Sequence, residues 1–252
     1  MRRVLFGFAL LLLLGGCTSA SFVATLPPGR IAAAKTVGVI SVIGDKLSFG
    51  TRGIFRFNNE DAAPDITSWQ IDSFVVDQIK ANLRPDIQVV TATYPPAALN
   101  VDDIHWTSDP AKAVSEKLSK QLGPNSPHVD LWLVVVKQEI PIGEPVYGLG
   151  ATVTAAFGSS AFTVYSGGAI AVLDGTTLAP LAFPDLRLAK PEFMAQQFPA
   201  EVIDEPAPSE PWDQAPESWR QKVRAKLESQ LTRTIAYTVS ALGLGRRYPR
   251  FE

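Results

Sequence analysis

The sequence predicts an α/β fold in which a mixed sheet carries helices packed on it. Three observations support this class. Strand-like apolar runs alternate with amphipathic helical stripes over residues 36–136, a β-meander follows, and a long helical stripe ends the domain. The predicted order is βαβαβ, the meander and then the C-terminal helix. Helical crossovers join parallel strands, so we expect the first three strands to be parallel.

The first three strands are apolar runs that are rich in β-branched residues. They are expected at residues 36–43, 87–91 and 131–136, and the last is the most apolar and therefore central. Residues 199–216 differ from these runs because they carry five prolines and five acids. That composition predicts a long extended loop rather than a strand or a helix.

All three predicted helices carry apolar residues on one face. Thr67 with Gln70 is expected to cap the first helix, and Asp109 followed by Pro110 starts the second. The third helix, over residues 217–242, would span ~39 Å and lie across the sheet. The stripes are Ile71, Val75, Ile79 and Leu83; Ala111, Val114, Leu118 and Leu122; and Trp219, Val223, Leu227, Leu231, Ile235 and Val239.

The meander is predicted from an alternation of period two. Residues 147–158 place apolar side chains at odd positions and small or polar ones at even positions, as in a strand with two different faces. Residues 161–173 are expected to return as the next strand. Asp174-Gly175 is a hairpin signal that leads to a last strand over 178–183.

The first residues of the chain have the parts of a secretory signal peptide. Arg2 and Arg3 precede an apolar run over residues 4–14. This run of 11 residues is shorter than the ~20 that a membrane-spanning helix needs. Small residues follow it, which is typical of a cleaved leader.

The segment Leu14-Gly15-Gly16-Cys17 resembles the bacterial lipobox, in which a leucine and two small residues precede a lipidated cysteine. The resemblance implies cleavage before Cys17, a diacylglyceryl thioether and an acylated amino terminus. Thr18, where an aspartate would favour inner-membrane retention, implies the outer membrane. Cys17 is the only cysteine, so no internal disulfide is available to the fold.

These features divide the chain into four parts. We expect a signal peptide over 1–16, a lipidated tether over 17–34, one α/β domain over 35–245 and a tail over 246–252. The whole chain has 23 basic and 25 acidic residues, and the leader contributes two of the basic ones. The mature chain is therefore slightly acidic, which argues against nucleic acid as a partner.

The order of elements resembles the small α/β domain of the amino-terminal part of TolB and of curli-secretion-type envelope lipoproteins. No single motif carries this resemblance; it rests on element order together with the lipobox. It implies a role in binding or assembly within the bacterial envelope, with other envelope proteins as partners.

No catalytic or cofactor motif stands out in the sequence. Asp102, Asp103 and His105 are the densest metal-capable set, but their loose spacing favours a polar loop. The only histidines, His105 and His128, are not accompanied by a Gly-x-Ser-x-Gly elbow, and the glycines lack a dinucleotide-binding spacing. We therefore expect no cofactor, no metal site and no enzymatic activity.

Four aromatic residues are candidates for partner binding: Trp212, Tyr147, Phe157 and Tyr165. Trp212 lies in the acidic, proline-rich segment, where an indole either docks into its own domain or faces a partner. The tyrosines and Phe157 belong to the predicted hairpin.

The sequence favours a lipid-anchored, non-catalytic binding or assembly module facing the periplasm, of undetermined oligomeric state. One alternative is a subunit of an oligomeric outer-membrane pore or secretion complex that uses a hairpin over residues 147–172, since two-faced strands of ~10 residues also suit a transmembrane barrel. A second is an envelope hydrolase. Its candidate residues are His105 and His128 with Ser159, Ser160 or Ser166.

Overall fold

The computed structural model confirms the α/β class, but its strands form two mixed five-stranded sheets and one short hairpin rather than one sheet. The structure describes residues 26–52, 60–90, 99, 109–123, 126–142, 144–156, 159–186, 200–203 and 212–246.

The first sheet contains the three predicted parallel strands. Its members are β1 (Thr36–Ser41), β4 (Gln88–Val90), β5 (Leu131–Lys137), β10 (Gly168–Asp174) and β11 (Pro180–Ala182). Their order is β11-β10-β5-β1-β4, with β1 parallel to both β4 and β5, and β10 antiparallel to β5. The central position predicted for residues 131–136 is confirmed, and every residue of β5 is buried.

Helices cover both faces of this sheet. They are α1 (Pro28–Ala33), α2 (Ile71–Asn82), α3 (Pro110–Gln121) and α4 (Glu217–Ala241). The alternate side chains of β5 divide between two cores: one face packs with α2 and α4, the other with α3. Because α2 and α3 lie on opposite faces and their connections place β4 and β5 on opposite sides of β1, the sheet has a topological switch point between β1 and β5.

The second sheet packs against the long helix α4. Its strands are β2 (Ser48–Arg52), β3 (Glu60–Ala62), β8 (Leu149–Ala156), β9 (Ser159–Ser166) and β12 (Ala200–Ile203), in the order β12-β9-β8-β2-β3. The hairpin β6 (Glu139–Ile142) and β7 (Glu144–Tyr147) follows β5. Phe162 packs on Trp219 with tilted rings whose centroids are 4.7 Å apart, and the Gln230 side-chain amide donates to the Val164 carbonyl at 3.0 Å. Helix α4 therefore contacts both sheets.

The single return strand predicted over 161–173 is wrong. The segment is divided at Gly167 into β9 and β10, which belong to different sheets. Gly167 donates to the Gly148 carbonyl at 2.8 Å and accepts from the Gln138 amide at 3.3 Å. These bonds hold the chain at the point where it leaves one sheet for the other.

The predicted start of the first helix is also wrong. Thr67–Trp69 forms a 3₁₀ turn, and α2 begins at Ile71 after Gln70, whose φ of 54° is left-handed. The Asp65 carboxylate accepts the Thr67 amide at 2.7 Å, so Thr67 completes a turn instead of capping the helix. The turn directs Trp69 into the core, where it is 8% exposed.

The segment over 199–216 is not simply an extended loop. Ala200–Ile203 forms β12, which pairs antiparallel with β9. Glu201 on β12 makes ion pairs with Lys226 and Arg233 of α4. Tertiary contacts with α4 and β9 therefore override the local composition.

Ordered structure begins upstream of the boundary expected at residue 35. Leu26 is buried, and α1 follows it within the segment expected to be a tether. Arg30 of α1 pairs with Asp174 at 2.7 Å, and Arg84 donates to the Ile31 carbonyl at 3.0 Å. These contacts attach α1 to the domain.

Candidate functional site

The switch point between β1 and β5 is the position at which α/β sheets commonly bind ligands. Here Asp72, in the first turn of α2, lies at the carboxyl end of β1. Its Oδ1 atom accepts from the Ser41 hydroxyl at 2.7 Å and from the amides of Ile43 and Gly44 at 2.9 and 3.1 Å. One carboxylate oxygen thus holds the loop that leaves β1.

The end of β5 is closed by an ion pair. Lys137 extends its amine to Asp45 at 2.7 Å, although the lysine side chain is only 10% exposed. Gly148 packs on the lysine stem, and a Cβ there would lie 3.0 Å from Lys137 Cγ. We define Ser41, Asp45, Asp72 and Lys137 as the switch-point cluster. Its bonds lie within the domain, so we interpret it as a structural element.

An open site lies instead at the start of α4, where the helix faces the 3₁₀ turn that precedes α2. This α4 groove has a volume of about 310 Å³. That volume is at the small end of the range for ligand pockets, roughly 300–1,000 Å³. The groove is lined by Asp65, Ile66, Ser68, Trp69, Trp212, Glu217, Arg220, Gln221 and Arg224.

Trp212 forms part of the groove floor and belongs to an aromatic cluster. Its ring centroid lies 5.4 Å from that of Phe49, 5.9 Å from Trp69 and 5.6 Å from Trp219. Trp212 is only 8% exposed, so its indole docks into its own domain. Its connection with binding is indirect: it supports the surface on which a ligand would lie.

One wall of the groove is held by hydrogen bonds within α4. The Glu217 carboxylate accepts from Gln221 Nε2 at 2.6 Å and from Arg220 Nε at 3.0 Å. These bonds, first that from Gln221 and then that from Arg220, lower the pKa of Glu217, which is therefore ionised at neutral pH. Arg220 also donates to the Asp213 carbonyl at 3.2 Å, so its guanidinium is bonded on both sides.

Other groups in the groove retain unused hydrogen-bonding capacity. Arg224 donates through Nε to Glu228 at 2.7 Å, and its terminal amines have no bond to any residue that the structure describes. The Ser68 hydroxyl has no such bond either. Across the groove, hydrogen bonds from Thr67 lower the pKa of Asp65. Donors and an ionised carboxylate therefore face one space.

Two aromatic candidates of the hairpin, Tyr147 and Tyr165, are held within the domain. The Tyr165 ring lies over Gly150, where a Cβ would be 2.1 Å from the ring, and its hydroxyl donates to the Ser48 carbonyl at 3.3 Å. The half-buried Tyr147 donates to Glu139 at 3.0 Å, and burial, followed by this carboxylate, raises the pKa of Tyr147. Tyr165 is 1% exposed and offers no open contact surface.

The apolar alternation of the hairpin is accounted for by the core. The odd-numbered residues of β8 and the even-numbered residues of β9 share the face that packs on α4. The buried members of this face are Leu149, Ala151, Phe162 and Val164. A transmembrane hairpin over 147–172 would need such a face toward lipid, so this pattern no longer favours a pore.

The hydrolase hypothesis gains no support in the described part of the chain. His128 is exposed and has no hydrogen bond there, whereas Ser166 is fully buried and its hydroxyl has no partner among the described residues. Other predicted residues lie outside the described side chains: Cys17, Phe157, Asp102, Asp103, His105, Ser159 and Ser160.

Within the described residues, no group of three or more His, Cys, Asp or Glu side chains is arranged to hold a metal ion. No helix in the same ranges is both long and apolar enough to cross a bilayer. Comparison with protein-family models, with curated proteins and with solved structures finds no match to the chain. The α4 groove thus has to be interpreted from its own chemistry.

Sequence reasoning identified Trp212 but missed the polar residues of the groove. Glu217, Arg220, Gln221 and Arg224 lie between the apolar positions of α4, where charged residues are typical of a solvated helix face. Their spacing of three and four residues places them on one face and was the available signal. Only the packing of the segment around Ser68 against this face makes it a groove.

Proposed function

We propose that the protein is a lipid-anchored lipoprotein of the bacterial envelope whose α/β domain acts by binding, without catalysis, on the periplasmic side. The observation that carries the proposal is the α4 groove. Its walls are held by internal bonds, and it presents unpaired donors opposite a carboxylate. Such pre-formed polar surfaces bind ligands without a large ordering cost.

The anchor is proposed from the lipobox-like segment that ends at Cys17. A diacylglyceryl group and an amide-linked chain together give stable membrane attachment, since each buried CH₂ contributes ~0.8 kcal/mol and a single chain is marginal. Thr18 favours the outer membrane, and other envelope proteins are the expected partners.

Membrane fractionation of a Cys17→Ser variant tests the anchor. We expect this variant to leave the membrane fraction and to lose the mass of the acyl chains. A Ser21→Ala variant, altered beyond the lipobox-like segment, should fractionate as the parent does. Membrane retention of Cys17→Ser without lipid would contradict the lipoprotein proposal.

Site-directed photocrosslinking in native envelopes tests the binding function. A photoreactive amino acid in place of Gln221 should form adducts whose mass identifies the bound molecule. The same residue in place of Ser229, which is exposed farther along α4, is the matched control. Equal labelling from both positions would contradict a binding role for the groove.

A further inference from the structure

We propose that the α4 groove binds a zwitterion of amino-acid to short-peptide size, with its carboxylate on Arg224 and its amine on Asp65. This inference rests on the proposed binding function and specifies its ligand class. It follows from which polar atoms of the groove already have partners within the fold and which keep hydrogen-bonding capacity for a ligand.

The two walls present different charged groups to the groove. On the helical wall, Glu217 and Arg220 neutralise each other, with Oε2 and NH2 2.8 Å apart. Arg224 pairs with Glu228 through Nε alone, so its two terminal amines stay unbonded among the described residues. The facing wall carries the Asp65 carboxylate, whose pKa is lowered by hydrogen bonds from Thr67 and by the nearby Lys46.

A ligand of one charge sign fits this arrangement poorly. An anion would be attracted by Arg224 and repelled by Asp65. A cation would be attracted by Asp65 and repelled by Arg224. The four charged side chains of the groove, two acidic and two basic, sum to zero. A dipolar ligand satisfies both walls at once, because opposite charges attract across a short distance while like charges repel.

The Arg224 side chain is oriented for a planar anion. Glu228 holds its Nε atom at 2.7 Å, and the two terminal amines remain as parallel donors. A guanidinium donates such a pair of bonds to the two oxygens of a carboxylate. A primary amide has one acceptor oxygen and no negative charge, so it cannot replace the carboxylate in this bidentate geometry. The Ser68 hydroxyl and the Gln221 amide oxygen can bond the peptide groups between the ligand's termini.

Calorimetric titration of the full-length protein in detergent with trialanine tests this inference. Its two blocked forms, the carboxyl amide and the N-acetyl derivative, each remove one charge at constant chain length. We expect each blocked form to bind at least tenfold more weakly than free trialanine. Equal affinity for the three peptides, or no heat of binding for free trialanine at millimolar concentration, would overturn the proposal.

Variants assign each charge of the ligand to its residue. In Arg224→Gln the free and amidated peptides should bind alike, and in Asp65→Asn the free and acetylated peptides should bind alike. Arg233→Gln, which alters a paired arginine of α4 outside the groove, should preserve both differences. Retention of the amide penalty in Arg224→Gln would refute the carboxylate assignment.

The two proposals fail in different ways. If crosslinking from position 221 captures a molecule while no form of trialanine binds, the binding function stands and the zwitterion is wrong. If neither trialanine nor any crosslinked molecule is found, the groove is not a binding site.

Discussion

The switch-point cluster and the α4 groove are both polar and both contain acid–base pairs. They differ in how many of their polar groups are hydrogen-bonded within the domain. At the switch point, Asp72 and Lys137 bond to loop amides, a hydroxyl and Asp45 of the same domain. In the groove, Arg224 keeps its terminal amines unbonded to the described residues. A network whose groups are paired stabilises a fold, whereas unused donors at a groove favour a ligand. The position that the fold class usually gives to a ligand is here used for stability.

Truncation of the groove floor should have the largest effect and would show how far the groove depends on the core. Trp212→Ala removes an indole that contacts three other aromatic rings. We expect a loss of about 3–5 kcal/mol in unfolding free energy, as for other buried large-to-alanine changes. Urea denaturation measures it. A loss below ~1 kcal/mol would mean that the cluster is not part of the cooperative core.

Removal of the switch-point acceptor should have the next largest effect. Asp72→Ala leaves the Ser41 hydroxyl and two loop amides without their acceptor. We expect a loss of about 2–3 kcal/mol, since bonds to a charged group are each worth more than neutral ones. Asp77→Ala, at an exposed position on the same helix, is the control and should be near neutral. Similar values for the two would erase the contrast between a closed cluster and a solvated surface.

A third polar cluster, at the amino-terminal ends of β1 and β5, tests the same contrast through pH. The Asp130 carboxylate accepts the amides of Lys35 and Thr36, each at 2.8 Å, and these bonds lower its pKa. Its contribution is therefore present above the unfolded pKa of ~3.9 and is lost as pH falls through the lower folded pKa. Thermal unfolding across pH should show Asp130→Asn less stable than the parent at pH 7, with a difference that shrinks below ~4.

The control for this pH dependence is Asp213→Asn, at an exposed position in the groove turn. Its unfolding free energy at pH 7 should lie within ~0.5 kcal/mol of that of the parent, as for other surface substitutions. A constant deficit for Asp130→Asn down to the lowest pH would mean that charge is not the source of its contribution.

The smallest stability effect is expected in the groove itself. Arg224 and Glu228 form an ion pair whose side chains are 33% and 27% exposed. Arg224→Gln should change the unfolding free energy by less than ~1 kcal/mol, as for other partly exposed pairs. Chemical denaturation measures the structural role of Arg224, and the calorimetric titration measures its proposed role in binding. A large destabilisation would place Arg224 with the structural residues and not with the binding ones.

The elements predicted correctly are those whose signal is local. The stripe of α4 and the apolar run of β5 each span many residues with one period, so neighbours in sequence suffice to define them. The division of the strands into two sheets depends on the parallel pairing of β2 with β8, in which Ser48 faces Gly150. No local pattern records a pairing over that distance.

The groove was less predictable than the fold for the same reason. Arg224 and Gln221 are typical of a solvated helix face when α4 is considered alone. Their role depends on the turn around Ser68, which lies far away in the sequence and sits beside the start of α4, where Trp69 packs on Trp212. Trp212 was a candidate because a tryptophan among prolines needs an apolar neighbour, and it lies beside Trp69 in the groove.

The attachment of α1 to the domain limits the length of chain between the domain and the proposed lipid. Nine residue steps separate Cys17 from Leu26, the first residue that the structure describes and a buried one. Fully extended, they reach at most ~32 Å, which is shorter than the ~37 Å of the 25-residue helix α4. A domain lipidated at Cys17 would therefore search only a thin layer above the bilayer. Within that layer, molecules held on the same membrane surface would have a high effective concentration at the groove. A groove of low intrinsic affinity would therefore still be occupied by them.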